Sequence, residues 1–104
     1  MTLEDLFASI EVRATADPEK SWTASLLAQG PEKCAEKFGE EAIEAIIEAV
    51  KGDKMRLTSE AADVLFHLLV MLKSRAPEQP GGLFVVSVWF SFNGYCGFRF
   101  SEVL

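Results

Sequence analysis

The chain has 104 residues and a formal net charge of −6, which suits one small domain with a modest core. This acidic balance argues against the broad basic face by which proteins bind nucleic acid or anionic membranes. Its two cysteines, Cys34 and Cys96, lie far apart without a CxxC motif or clustered histidines, so they indicate neither a zinc site nor a disulfide framework and favour a reducing, cytoplasmic compartment.

The first thirty residues predict two short helices. Apolar residues recur at i, i+3, i+4 and i+7 between positions 3 and 10, and Thr2 is placed to cap this helix with Asp5. The acidic start is unlike a signal peptide, and no segment reaches the roughly 18 apolar residues that span a membrane. The segment SWTASLLAQG predicts a second short helix or turn closed by Gly30. Its expected buried residues are Trp22, Leu26 and Leu27.

Two long helices follow and form a predicted antiparallel hairpin. Pro31 suits the first position of a helix and Gly52 suits the residue just past its end, so the first long helix is expected to fill residues 31–51. Asp53 or Thr58 is expected to cap the next helix, whose apolar pattern continues to about residue 72. The short turn makes the two helices neighbours. The sequence therefore predicts an all-α fold, a helical hairpin preceded by short helices.

Each long helix carries two acids three residues apart, Glu41 with Glu44 and Glu60 with Asp63. The second pair lies in an apolar stretch that is expected to be buried nearly all round, with His67 as its other polar side chain. Because an uncompensated carboxylate is costly to bury, these acids are expected to face a cation, a basic partner or a wet cleft. A divalent ion, Mg²⁺ or Mn²⁺, suits oxygen ligands on facing helices. For His67, a core or interface role is favoured over metal binding.

The first long helix has two apolar stripes, so it is expected to have two neighbours. One stripe consists of Phe38, Ala42, Ala45, Ile46 and Ala49, and the other of Ile43, Ile47 and Val50. In a monomer of this length, part of the apolar surface is expected to stay unburied, a patch typical of an interface. The candidates for that patch are Ile43, Ile47, Leu68, Leu69 and Leu72. A homodimer is therefore expected.

The segments SWTA, GPEKCAEKFGEE and SEAADVLFHLL together resemble the phosphoribosyl-ATP pyrophosphatase family, and the resemblance covers residues 3 to about 75. The underlying ExxE and ExxD motifs are shared with the wider all-α superfamily of MazG-type and dimeric dUTPase-type proteins. The resemblance implies a four-helix core completed by dimerisation. It also implies Mg²⁺-dependent hydrolysis of phosphoribosyl-ATP to phosphoribosyl-AMP and pyrophosphate, the second step of histidine biosynthesis. The implied metal-binding residues are Glu41, Glu44, Glu60 and Asp63, with Glu44 as our candidate for the catalytic base.

The expected substrate-binding residues are Trp22, Lys33, Lys37 and Glu40. Lys33 and Lys37 lie one helical turn apart just before the acids, where an ammonium group suits a phosphate. Ordinary ion pairs with neighbouring glutamates of the same helix are the alternative for both. Trp22 is expected to pack in the core, and stacking on the base of a nucleotide is its alternative.

Residues 1–76 form the predicted pyrophosphatase domain, whereas residues 77–104 form an apolar tail that is atypical of the family. The stretch from Leu83 to Phe92 favours a β-strand, which Asn93-Gly94 would turn into a hairpin with residues 95–100. No other strand is expected for this hairpin to join. We interpret the tail as sequence foreign to the family, such as the product of a shifted reading frame.

Two other functions remain open from the sequence. A related pyrophosphatase that acts on non-canonical nucleoside triphosphates would use the same four acids, and only the lining of its pocket would differ. A non-enzymatic dimeric helical interaction module would carry the acids as ordinary solvated groups.

Overall fold

The structure is a computed structural model that describes residues 2–75 of the chain. These residues form four helices, α1 (Leu3–Ala14), α2 (Trp22–Gln29), α3 (Pro31–Lys51) and α4 (Lys54–Arg75). Within this part of the chain there is no strand, so the all-α prediction is confirmed. The apolar tail, with the β-hairpin predicted in it, lies outside the described residues. None of the four helices combines the length and apolarity that crossing a lipid bilayer requires.

Helix α1 begins at the predicted capping box. The hydroxyl of Thr2 accepts a hydrogen bond from the Asp5 backbone N–H at 3.1 Å, and the Asp5 carboxylate accepts one from the Thr2 N–H at 2.9 Å. Two of the N–H groups that a helix start leaves unsatisfied are thereby paired. The predicted apolar stripe turns Phe7 and Ile10 into the core.

Helix α2 differs from its prediction in the residues it buries. Thr23, Ala24 and Leu26 are its buried residues, whereas Leu27 is half-buried. Trp22 has 53% of its surface exposed, so the expectation that it packs in the core is wrong. Trp22 is the first residue of this short helix. The face of α2 that points into the core is already occupied by Thr23, Ala24 and Leu26. The indole is left at the edge of the domain.

The core lies at one end of the α3–α4 hairpin, where α1 and α2 cover it. Its fully buried side chains come from all four helices and are Ile10, Leu26, Cys34 and Val70. Cys34 is a free thiol whose Sγ donates a hydrogen bond to the Leu26 carbonyl at 3.3 Å, which ties α3 to α2.

A tight turn connects the two long helices at the predicted place. Gly52 ends α3 in the left-handed conformation, with φ of 79°, and its N–H donates to the carbonyls of Glu48 and Ala49. Asp53 then caps α4, because its Oδ1 accepts a hydrogen bond from the Arg56 N–H at 3.0 Å. Thr58, the other predicted cap, lies inside α4 and bonds the Lys54 carbonyl. The two helices consequently run antiparallel and make the most extensive contact in the described residues.

The turn end of the hairpin is not covered by α1 or α2, and its apolar side chains are exposed. The exposed large ones on α3 and α4 are Ile43, Ile46, Ile47, Val50, Met55 and Leu65. The expectation that α4 is buried nearly all round is therefore wrong for one chain, because Leu65 is 43% exposed. Ile43 and Ile47 are exposed as expected, whereas Leu69 is buried in the core beneath α1 and α2. Leu68 and Leu72 are half-buried.

The turn provides a stability test with an internal control. Replacing Gly52 by alanine forces a side chain into the left-handed region, so we expect the free energy of unfolding to fall by about 1 kcal/mol. Gly39 lies within α3, and an added Cβ there meets nothing within 4 Å. Gly39→Ala should raise the free energy of unfolding by roughly 0.5–1 kcal/mol through helix propensity. Urea denaturation measures both, and a loss of equal size in the two variants would contradict the described turn.

Candidate metal centre

Three of the four predicted acids meet on the facing sides of α3 and α4. One carboxylate oxygen from each of Glu41, Glu60 and Asp63 lies within 4.8 Å of the other two. The antiparallel turn at Gly52 brings the second and third turns of α4 level with the middle of α3, so acids far apart in the chain become neighbours. Glu41 and Glu60 are half-buried and Asp63 is exposed. The cluster is thus open to solvent on one side.

Glu44 lies beside this cluster rather than in it. Its side chain is exposed, and it does not belong to the group of three whose oxygens converge. It is nevertheless close enough to Glu60 to affect the ionisation of that residue by charge and by hydrogen bonding. All four predicted acids therefore lie in one region. Glu41, Glu60 and Asp63 form a close group, and Glu44 is a more accessible carboxylate beside them.

The cluster carries negative charge that nothing among the described residues fully neutralises. The pKa of Glu60 is raised above its usual value, first by burial and then by the charge of Glu44, a hydrogen bond with Glu44 and the charges of Glu41 and Asp63. Each of these effects penalises the ionised carboxylate. A set of hard oxygen ligands with excess negative charge fits Mg²⁺ or Mn²⁺, which would relieve the repulsion.

His67 forms the inner wall behind the cluster. It is buried, and its Nε2 lies 3.9 Å from Oε1 of Glu41, which is too long for a hydrogen bond. Burial lowers the pKa of His67, against the opposing charge of Glu41, and so favours the neutral ring. Its ring packs edge-on against Phe66 with centroids 5.0 Å apart. The favoured interpretation of His67 as a core residue agrees with this burial.

The predicted lysines are held by carboxylates of their own helix. Lys33 pairs with Glu36 at 3.3 Å, and Lys37 pairs with Glu40 at 2.8 Å and with Glu41 at 3.8 Å. The hydrogen bond with Glu40 raises the pKa of Lys37 and, in return, lowers the pKa of Glu40. The ion-pair alternative is therefore what the structure shows. Lys37 is nevertheless next to the cluster, because its Nζ lies 3.8 Å from Oε1 of Glu41.

A cleft opens next to Lys37, and sequence reasoning missed most of its residues. Nζ of Lys37 lies 6.0 Å from the centroid of the Trp22 ring. Trp22 is one wall of a cleft of about 470 Å³, a volume within the range of small-molecule sites. The described residues that line it are Arg13, Lys20, Ser21, Trp22, Thr23 and Phe66. These residues come from the end of α1, the loop before α2, the first turn of α2 and α4, so no spacing along the chain relates them.

Comparison with known proteins identifies the family. The family model described as phosphoribosyl-ATP pyrophosphohydrolase matches residues 3–76. The chain belongs to this family. The residues matched include all four helices and every acid of the cluster, so the resemblance drawn from the SWTA, ExxE and ExxD segments is confirmed.

Several curated relatives carry the name phosphoribosyl-ATP pyrophosphatase. The protein from Roseobacter denitrificans is 76% identical over 72 residues, covering 69% of this chain and 69% of the relative. The Ruegeria pomeroyi protein is 74% identical over 73 residues, covering 70% of each chain. The protein from Jannaschia sp. is 71% identical over 73 residues, which is 70% of this chain and 72% of the relative. Each of these matches covers about 70% of this chain.

The raised pKa of Glu60 predicts a pH-dependent stability in the absence of divalent ions. A raised native pKa means that the folded protein holds this proton to higher pH than the unfolded chain, so stability declines as pH rises above about 4.5. Glu60→Gln removes that decline. We expect the variant to have a higher Tm than wild type at pH 7 in EDTA and a similar Tm at pH 4, measured by circular dichroism.

Glu36→Gln is the matched control for this measurement. Glu36 is exposed on α3, outside the cluster, and within residues 2–75 its ion pair is a surface one with Lys33, so its loss should change the Tm little at either pH. An unchanged or lower Tm for Glu60→Gln at pH 7 would mean that the carboxylates do not repel one another as described.

Proposed function

We propose that the chain hydrolyses phosphoribosyl-ATP to phosphoribosyl-AMP and pyrophosphate, the second step of histidine biosynthesis, in a Mg²⁺-dependent reaction. The observation that carries the proposal is the meeting of Glu41, Glu60 and Asp63 within 4.8 Å. It is supported by identities of 71–76%, over 72–73 residues, to relatives named phosphoribosyl-ATP pyrophosphatase. The proposed setting is the cytoplasm.

Glu41, Glu60 and Asp63 would hold the metal, with Glu44 as a fourth ligand or as its neighbour. Mn²⁺ is the alternative ion, because it favours the same oxygen ligands. When bound, the ion neutralises charge on phosphate oxygens and makes a coordinated water more acidic. The fit of the donor set is supported by its composition of carboxylates alone and by the raised pKa of Glu60, to which burial contributes most and the charges of Glu44, Glu41 and Asp63 add.

Glu44 is our candidate for the general base. Its carboxylate is exposed beside the cluster, so it can accept a proton from a water molecule that approaches from solvent. In the reaction the water oxygen forms a new bond to phosphorus, its proton passes to the carboxylate, and the bond between the α and β phosphates breaks. Pyrophosphate leaves with the electron pair of that bond. No covalent intermediate with the protein is required.

The substrate side of the site consists of Trp22, Lys33, Lys37 and Glu40. Lys37 is the central residue, because its ammonium is 3.8 Å from Oε1 of Glu41 and 6.0 Å from the centroid of the Trp22 ring. A phosphate oxygen that replaces Glu40 as the partner of Lys37 would gain a charge-assisted hydrogen bond. Glu40 then holds the ammonium in place before the substrate binds. The exposed indole of Trp22 offers a flat apolar surface for the base or ribose.

A homodimer completes the proposed enzyme. The exposed apolar residues at the turn end of the hairpin, including Ile43, Ile47 and Val50, form a continuous stripe on α3. Exposed apolar stripes of this kind are typical of interfaces between subunits. A second copy packed against α3 and α4 would cover Leu65 and produce the four-helix core that the resemblance implies.

Asp63→Asn tests the metal and the reaction together. We expect pyrophosphate release from phosphoribosyl-ATP to require Mg²⁺, and the variant to lose kcat/KM by about 100-fold or more because a charged ligand is removed. Its affinity for Mg²⁺, measured by calorimetry, should fall in parallel. Equal rates with dUTP or dCTP in wild type would contradict the proposed substrate, and unchanged Mg²⁺ affinity in the variant would contradict the proposed site.

Ile47→Asp tests the dimer. A carboxylate in the middle of the apolar stripe would have to be buried in the interface, so we expect the variant to sediment as a monomer at concentrations where wild type is a dimer. Val12→Asp is the matched control, since Val12 is 77% exposed on α1, away from the stripe. Sedimentation velocity compares the three proteins, and a dimeric Ile47→Asp would place the interface elsewhere.

A further inference from the structure

The cleft beside Trp22 contains two cations that the proposed reaction does not use. Arg13 stands in the last turn of α1 and Lys20 in the loop before α2, and both line the cleft with Trp22 and Phe66. Neither forms an ion pair with any acid in residues 2–75. An acidic domain therefore keeps two positive charges free at one concave surface.

Most other cations of the described chain are already neutralised by neighbours. Lys33, Lys37, Lys51, Arg56 and Lys73 each pair with a carboxylate. Lys54 and Arg75 have no such partner in the described part of the chain, but neither lines the cleft. Positive charge beside an aromatic surface in a pocket is the arrangement that binds a phosphorylated sugar, since the ring packs on the sugar or base while the cations hold the phosphate.

The cleft is linked to the carboxylate cluster through Lys37. Trp22 lies 6.0 Å from Nζ of Lys37, and the same Nζ lies 3.8 Å from Oε1 of Glu41. Phe66, which also lines the cleft, contacts the ring of His67, whose Nε2 is 3.9 Å from the same Glu41 oxygen. One ligand can consequently reach from the cluster past Lys37 into the cleft.

The proposed substrate has phosphate at two ends. Its triphosphate carries the bond to be broken and belongs at the carboxylates, whereas its phosphoribosyl group carries a separate monophosphate that ATP lacks. We propose that Arg13 and Lys20 bind this monophosphate in the cleft walled by Trp22 and Phe66, and that they thereby select phosphoribosyl-ATP over ATP. The inference rests on the proposed function and adds the site that recognises the distal end of the substrate.

The chemistry of the two side chains supports this assignment. A guanidinium can donate two parallel hydrogen bonds to one phosphate, and an ammonium adds a mobile second charge. Because the monophosphate is remote from the reacting bond, its binding contributes equally to the ground state and the transition state. Loss of the cations should therefore raise KM and leave kcat nearly unchanged.

The test compares phosphoribosyl-AMP with AMP as inhibitors of the full-length protein in Mg²⁺. Wild type should bind phosphoribosyl-AMP at least about 10-fold more tightly than AMP, since one charge-assisted contact contributes a factor of this order. In Arg13→Gln/Lys20→Gln that preference should disappear, through weaker binding of phosphoribosyl-AMP with AMP binding unchanged within about twofold. KM for phosphoribosyl-ATP should rise by about the same factor.

Lys54→Gln is the matched control, because it removes one exposed, unpaired positive charge outside the cleft. It should retain the wild-type preference, and each single cleft variant should lose part of it. Equal weakening of both inhibitors, or an unchanged preference, would overturn the inference while hydrolysis by wild type still upheld the proposed function. Absence of pyrophosphate release from phosphoribosyl-ATP in wild type would instead overturn the proposed function and this inference with it. Thermal unfolding of each variant verifies that it is folded.

Discussion

The antiparallel contact between α3 and α4 is the constraint on which the site depends. It places carboxylates from both helices within 4.8 Å of one another. When ionised, these carboxylates repel one another unless a cation binds between them. Two local features set the register of the contact: the left-handed Gly52 and the capping Asp53. A turn one residue longer would rotate α4 by about 100° and carry Glu60 and Asp63 away from Glu41.

The hairpin divides the molecule into a packed end and an open end. α1 and α2 cover only the end where α3 begins and α4 finishes, and there they bury Ile10, Leu26 and Val70. The acids occupy the boundary between the ends, with buried His67 on one side and solvent on the other. Such a boundary gives the cluster a rigid base and also access for a large, charged substrate. The apolar surface at the open end is then available to a second subunit.

The helix boundaries and the acidic cluster were predictable because their signals are local. Pro31, Gly52 and Asp53 determine where helices begin and end through backbone geometry and one hydrogen bond, whatever the rest of the chain does. The spacing of the acids puts each pair on one helix face, and a short turn makes the faces meet. The exposure of Trp22 and the residues of the cleft depend instead on tertiary packing, which no local signal in the sequence shows. Trp22 is exposed because other α2 side chains fill the core, and Arg13 reaches the same cleft as Lys20 only after α1 has docked.

The reactivity of the buried Cys34 thiol depends on local opening of the core. Its Sγ bonds the Leu26 carbonyl, its surface is fully covered, and burial raises its pKa, so very little reactive thiolate is present. An alkylating reagent or oxidant can reach this sulfur only when the core around it opens. The rate at which Cys34 is modified therefore measures how often that opening occurs. A ligand that bridges Trp22 and the carboxylates should slow the modification.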